Sequence, residues 1–178
     1  MRYRITKYDP ALRDARGAYK PDEWTSCTDI GRNIAGKKLS AQEYLAAENA
    51  YLDAVRSIAQ HNGCIEFCAR QLERLFSVWE VSRTMKRLGL SLTQEEKELY
   101  RSVDTARTYT TEEALILARM ILRELLWATL CDGQGRLSFT FGYDYYLYAD
   151  CPTLPDEVIR QIECSGLFVE NLGEGETL

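Results

Sequence analysis

Three groups of residues in this chain have the types and spacing that chemistry needs. His61-x-x-Cys64-x-x-x-Cys68 offers three zinc-type ligands. Structural zinc takes four, normally from two knuckles, and no second pair stands at that spacing. His61, the only histidine, could also activate a cysteine nucleophile, but nothing nearby in sequence is placed to orient it. Arg119, Arg123 and Glu124 interrupt an otherwise apolar run, and with Asp144 they could build a hydrolase or transferase site on Arg123, Glu124 and Asp144. Arg119 and Arg123, four apart, share a helix face. Charge on such a helix needs a partner, for which Asp144 or Glu66 are candidates, and buried charges of this kind are usually paired structurally. Asp144 and Asp150 on one strand would lie about 20 Å apart, too far for paired-carboxylate glycoside hydrolysis. Gly133-x-Gly135 precedes a strand pattern and lacks the lysine of a phosphate loop, and neither a nucleophile elbow nor a kinase set is present. No catalytic residue, metal or cofactor is assigned.

Composition narrows the remaining classes. The chain has 178 residues, 46% hydrophobic and 28% charged, so it can bury a core as a single domain without staples. MRYRITKYDP has no apolar stretch of the secretory kind, and no run reaches the ~18 residues of a membrane span. The expected location is the cytoplasm, where the six cysteines are free thiols serving as small buried hydrophobes. Net charge is −5, unevenly spread: residues 1–20 carry six basic and two acidic groups, residues 137–178 one basic and eight acidic. This balance argues against direct nucleic-acid binding, which needs a basic stripe, and suits docking to a basic protein.

The elements that position these residues can be read in order. Residues 2–8 alternate as a strand, with Tyr3 and Ile5 on one side. Residues 9–39, with Pro10, Gly17, Pro21, Gly31 and Gly36, form an irregular arm pinned by Trp24 and Ile30. Four capping boxes then mark helix starts at Ser40-x-x-Glu43, Ser77-x-x-Glu80, Thr93-x-x-Glu96 and Thr110-x-x-Glu113. The first helix ends at Asn62-Gly63. Residues 64–72 fit two patterns: Ile65, Phe67 and Ala69 alternate against Glu66, Cys68 and Arg70 as a strand, the rival is a helix running on to Leu88, and the capping box at Ser77 favours the strand. The fourth helix is read as Thr111–Leu130, apolar on nearly every side and therefore central and buried, with Trp127 in its packed interior. Pro155, Asp156 and Glu157 open a last helix, Leu167–Glu170 is a last strand, and residues 173–178 form a frayed tail. The order gives an α+β domain over 1–178, with a mostly antiparallel sheet of four or more strands and packed helices.

LSFTFGYDYYLYAD, residues 137–150, reads as one strand. Leu137, Phe139, Phe141, Tyr143, Tyr145 and Leu147 face the core. Asp144, Tyr146, Tyr148 and Asp150 fall on a wettable face. Together with Asp156 and Glu157 they form the candidate partner-binding set, since tyrosine gives large contact area at small entropic cost and rim carboxylates speed encounter with a cationic partner.

The segments YRITKYDP, EYLAAENAYLDA, ILRELLW, FGYDYY and GLFVE resemble those of small uncharacterised bacterial immunity proteins, the cognate partners of polymorphic or contact-dependent toxins. The resemblance implies a cytoplasmic, non-catalytic antitoxin, monomeric or in a heterodimer with its toxin. It would block the active site of a toxin domain, often a basic nuclease. It carries no catalytic residue over to this chain.

Overall fold

The computed structural model describes residues 1–174, and within them every side chain except that of Tyr143. Strand β1 (Arg2–Thr6) is followed by the arm, which holds single 3-10 turns at Pro10–Leu12 and Cys27–Asp29 and a hairpin of β2 (Asn33–Ile34) and β3 (Lys37–Lys38). The order continues α1 (Ala41–His61), β4 (Glu66–Glu73), α2 (Val78–Arg87), α3 (Gln94–Ser102), β5 (Thr108–Thr110), α4 (Thr111–Leu122), β6 (Trp127–Asp132), β7 (Ser138–Phe141), β8 (Leu147–Asp150), α5 (Asp156–Cys164) and β9 (Phe168–Asn171). Seven strands make one sheet in the order β5-β4-β6-β7-β8-β1-β9, with every pairing antiparallel. The fold is α+β.

The four capping boxes all form, each with the Ser or Thr oxygen accepting an N3 amide and the Glu reaching back. They start α1, α2, α3 and α4 where the sequence places them. The helices bury one face of the sheet. Tyr3, Ile5, Phe67, Ala69, Leu130, Phe139, Leu147 and Ala149 are at most 1% exposed and share a core with Tyr44, Tyr51, Val55 and Ile58 of α1 and Leu117, Ala118 and Met120 of α4. The arm is tied to this core by Trp24, whose ring lies 5.0 Å from that of Tyr145 and 5.7 Å from that of Tyr44.

The opposite face carries the charge. Because β1 lies between β8 and β9, Arg2 stands opposite Asp150 and Arg4 opposite Glu170. Arg2 pairs with Asp150 at 3.0 Å, and Arg4 and Arg13 both bind Glu170, at 2.8 and 2.5 Å. Three of the six basic groups at the start of the sequence therefore meet two of the eight acidic groups near its end on this side of the sheet.

Two expectations are corrected. The central helix stops at Leu122 rather than Leu130, and Trp127–Asp132 is a strand. The stop is a Schellman motif: Leu125 donates to the Met120 carbonyl at 2.9 Å and Glu124 to that of Ile121 at 2.8 Å. Glu124 takes the left-handed position with φ 57°, a place usually filled by glycine. Trp127 is consequently half-buried at the head of β6, not inside a helix. The second correction concerns residues 137–150, which form a hairpin and not one strand: Phe141 pairs with Leu147 and Ser138 with Asp150. Asp144 and Tyr145 turn the chain with φ of 59° and 62°. Gly142 leaves room for the Tyr148 ring, from which a Cβ would lie 3.1 Å, so a larger residue would have to push that ring aside.

Smaller differences follow the same local logic. Strand β5 was not anticipated. Ile65 falls just outside β4 and is 76% exposed, unlike Phe67 and Ala69, whose alternation it shares in sequence. The tail expected from 173 is bonded at its start, where the Gly173 carbonyl accepts from Arg2 at 2.8 Å; residues 175–178 lie outside the described set, as does the Tyr143 side chain expected in the core.

Candidate functional site

The charged residues of α4 are occupied. Arg123 donates to both oxygens of Glu48 at 2.7 Å and to the Ser91 carbonyl at 3.0 Å. Glu48 also accepts from the Tyr44 hydroxyl at 3.0 Å, and Arg119 reaches Glu96 at 2.8 Å. Arg123 and Glu48 are 6% and 1% exposed. Burial pulls the Arg123 guanidinium down, and the bonds it donates to Glu48 more than offset it, so its pKa ends above the ordinary value. The partner is Glu48, not Asp144 or Glu66. This is a saturated buried network, so Arg123 is taken up by Glu48 and is not free to join Glu124 and Asp144. His61 is exposed at the end of α1, and among the described residues no group of three or more His, Cys, Asp or Glu could hold a metal ion.

The six predicted partner-binding residues occupy three places. Tyr146, Tyr148 and Asp150 lie on the charged face of the sheet. There Arg4 and Arg13 stand over the Tyr146 ring at 5.5 and 5.9 Å, and Arg2 over that of Tyr148 at 5.5 Å. Asp150 is held by Arg2 and accepts from Ser138 at 3.3 Å. Asp156 and Glu157 are exposed in the first turn of α5, where they complement the helix dipole. Asp144 sits alone at the tip of the β7–β8 hairpin, exposed.

That tip borders a cleft of about 350 Å³ with walls from Leu126, Trp127, Phe141 and Phe76. Three carboxylates line it, Glu73, Glu124 and Asp144, with no lysine, arginine or histidine among the lining residues. All three are exposed, and none is in an ion pair or hydrogen bond among the described residues. Each is delivered by left-handed backbone. Glu124 and Asp144 are themselves left-handed, and Glu73 follows a bulge in β4 where Gln71 has φ 53°. Such conformations cost non-glycine residues energy and cluster at working sites. Leu75 and Phe76, which line the cleft, are 82% and 49% exposed, and Trp79, in the first turn of α2 that follows them, is 65% exposed. Scattered exposed apolar residues mean little, but here three fall within five positions of the chain.

No family model, curated protein or solved structure matches the chain. The reading of the site therefore rests on its own chemistry. An apolar slot ringed by free carboxylates, with a projecting apolar rim, suits a partner surface that presents basic and apolar side chains together. Of the predicted set only Asp144 belongs to it. Glu73, Leu75, Phe76 and Glu124 were not anticipated in this role. One signal was available for the rim: Val81 and Met85 set the inward face of α2, and Trp79 lies off that face.

Proposed function

We propose that this protein is a non-catalytic immunity protein that binds a cognate bacterial toxin domain, a nuclease by preference, and blocks its active site in the cytoplasm. The observation that carries the reading is the cleft: Glu73, Glu124 and Asp144 without a countercharge, beside exposed Leu75, Phe76 and Trp79. Nuclease active sites are cationic because they bind phosphate, and a rim of unpaired carboxylates is complementary to them. The apolar residues would supply the desolvated anchor that sets the dissociation rate. A hydrolase or transferase built on Arg123, Glu124 and Asp144 has no comparable support, because Arg123 is taken up by Glu48.

The test is association kinetics with the toxin domain encoded in the adjacent reading frame. Glu73→Lys, Glu124→Lys and Asp144→Lys together should slow association about tenfold or more at low salt, the difference shrinking as salt is added. Trp79→Ala should raise the dissociation rate while leaving the melting temperature within a degree or two. Reversing Asp156 and Glu157 serves as the control surface. Equal rates for wild type and triple variant would place the interface elsewhere, and no binding by wild type would count against the immunity reading itself.

A further inference from the structure

Cys68 on β4 and Cys131 on β6 are directly opposed in the antiparallel ladder, and their sulfurs lie 3.2 Å apart. Opposed residues in such a ladder have Cα atoms about 4.5–5.5 Å apart, within the range that a disulfide spans without backbone movement. The pair faces the charged side of the sheet, away from the helices, between Thr108 and Ser138 on the neighbouring strands. Cys68 is half-exposed and Cys131 is buried. The other four cysteines have no sulfur partner among the described residues: Cys64 bonds the Glu66 carbonyl and Cys27 that of Arg123. Cys68, the more exposed of the two, is the thiol a small molecule reaches first, while burial pushes the Cys131 thiol up.

We propose that Cys68 and Cys131 form a redox-responsive dithiol that closes to a cross-strand disulfide on exposure to a small-molecule disulfide of the glutathione class. The Cys68 thiol loses its proton to solvent and attacks one sulfur of that disulfide. The old S–S bond breaks, and one small thiol departs carrying a proton. Cys131 then loses its proton and attacks the Cys68 sulfur, expelling the second small thiol. Two protein thiols are oxidised to one disulfide while one small-molecule disulfide is reduced to two thiols. Closure staples β4 to β6, the strands whose Glu73–Trp127 pairing lies at the edge of the acidic cleft. The inference does not depend on the partner proposed for that cleft.

The experiment treats the reduced full-length protein with oxidised glutathione and counts thiols. Six should titrate in the denatured protein before treatment and four after, with a mass loss of about 2 Da and no retained glutathione adduct. Tryptic mapping should join residues 57–70 to 124–136, fragmentation placing the bond at Cys68 rather than Cys64. The melting temperature should rise by roughly 5–10 °C and return with strong reductant, given the long loop closed. Cys68→Ser and Cys131→Ser should each abolish the loss of two thiols. Six thiols after treatment, a stable glutathione adduct at Cys68, or a bridge mapped to any other pair would overturn the proposal, and the mapping is done on wild type, so no variant has to fold for the answer.

Discussion

Replacing Glu124 with glycine isolates what the acidic cleft demands of the backbone. Glu124 ends α4 in the left-handed region, with φ 57°. An L-residue there is roughly 1–2 kcal/mol less favourable than in ordinary backbone. Glycine removes that cost but enlarges the entropy of the unfolded chain by roughly 0.5–1 kcal/mol. The side chain makes no ion pair or hydrogen bond among the described residues, so nothing else is lost. Glu124→Gly should therefore stabilise the protein by about 0.5–1 kcal/mol, which for a chain of this length is about 1–4 °C in melting temperature. Glu124→Ala keeps the strained φ and removes the same carboxylate, so it should melt at or slightly below wild type. Thermal unfolding of the three proteins side by side, followed by circular dichroism, reads the difference directly. Binding to the toxin domain should weaken equally in both variants, since each lacks the carboxylate. A glycine variant no more stable than the alanine variant would refute the argument that this position carries strain for the sake of its side chain.

Other perturbations probe the network and the charged face. Arg123→Ala should cost about 3–5 kcal/mol, because it strands Glu48 uncompensated in the interior; chemical denaturation of that variant, of Glu48→Leu and of an Arg123→Met/Glu48→Leu double variant should find the double variant more stable than either single one. For Glu170, burial raises the carboxyl, but hydrogen bonds from Arg4 and Arg13 outweigh it and hold the pKa at about 2. A carboxyl depressed on folding contributes stability that is present above its unfolded pKa and lost as pH falls through its folded one. The stability gap between wild type and Glu170→Gln in urea should thus be constant above about pH 5 and close between about pH 4.5 and 2. Tyr145→Phe removes a buried hydroxyl that reaches the Leu122 carbonyl at 2.7 Å and the Tyr44 hydroxyl at 2.8 Å, and should cost about 1–3 kcal/mol in the same assay.

What the sequence disclosed and what it hid divide along physical lines. Helix starts were legible because a capping box is local chemistry, complete within four residues. The end of α4 was not, because Glu124 in a glycine position gives no signal and an apolar run such as LLWATL fits buried helix or strand equally well. The hairpin in residues 137–150 stayed hidden for a similar reason: its left-handed residues are Asp144 and Tyr145 rather than an Asn-Gly pair. The partner of Arg123 was within reach. Glu48 sits between Tyr44 and Leu52 at helical spacing on the apolar face of α1, a place where a carboxylate must have a buried cation. The cleft was beyond reach, since Glu73, Glu124 and Asp144 come from three separate segments and meet only through the sheet order.

That sheet order also sets a schedule. Of the seven strands of this sheet β1 is synthesised first, yet its neighbours β8 and β9 supply partners 148 and 166 residues further along. At ordinary ribosomal rates of about 5–20 residues per second, β1 waits on the order of ten to thirty seconds with both edges bare. A naked apolar strand would invite pairing with a neighbouring nascent chain. Here Arg2 and Arg4 alternate with Tyr3 and Ile5, so two such strands repel each other on one side until Asp150 and Glu170 arrive. The arginines that lock the finished sheet are, for that interval, its chaperones.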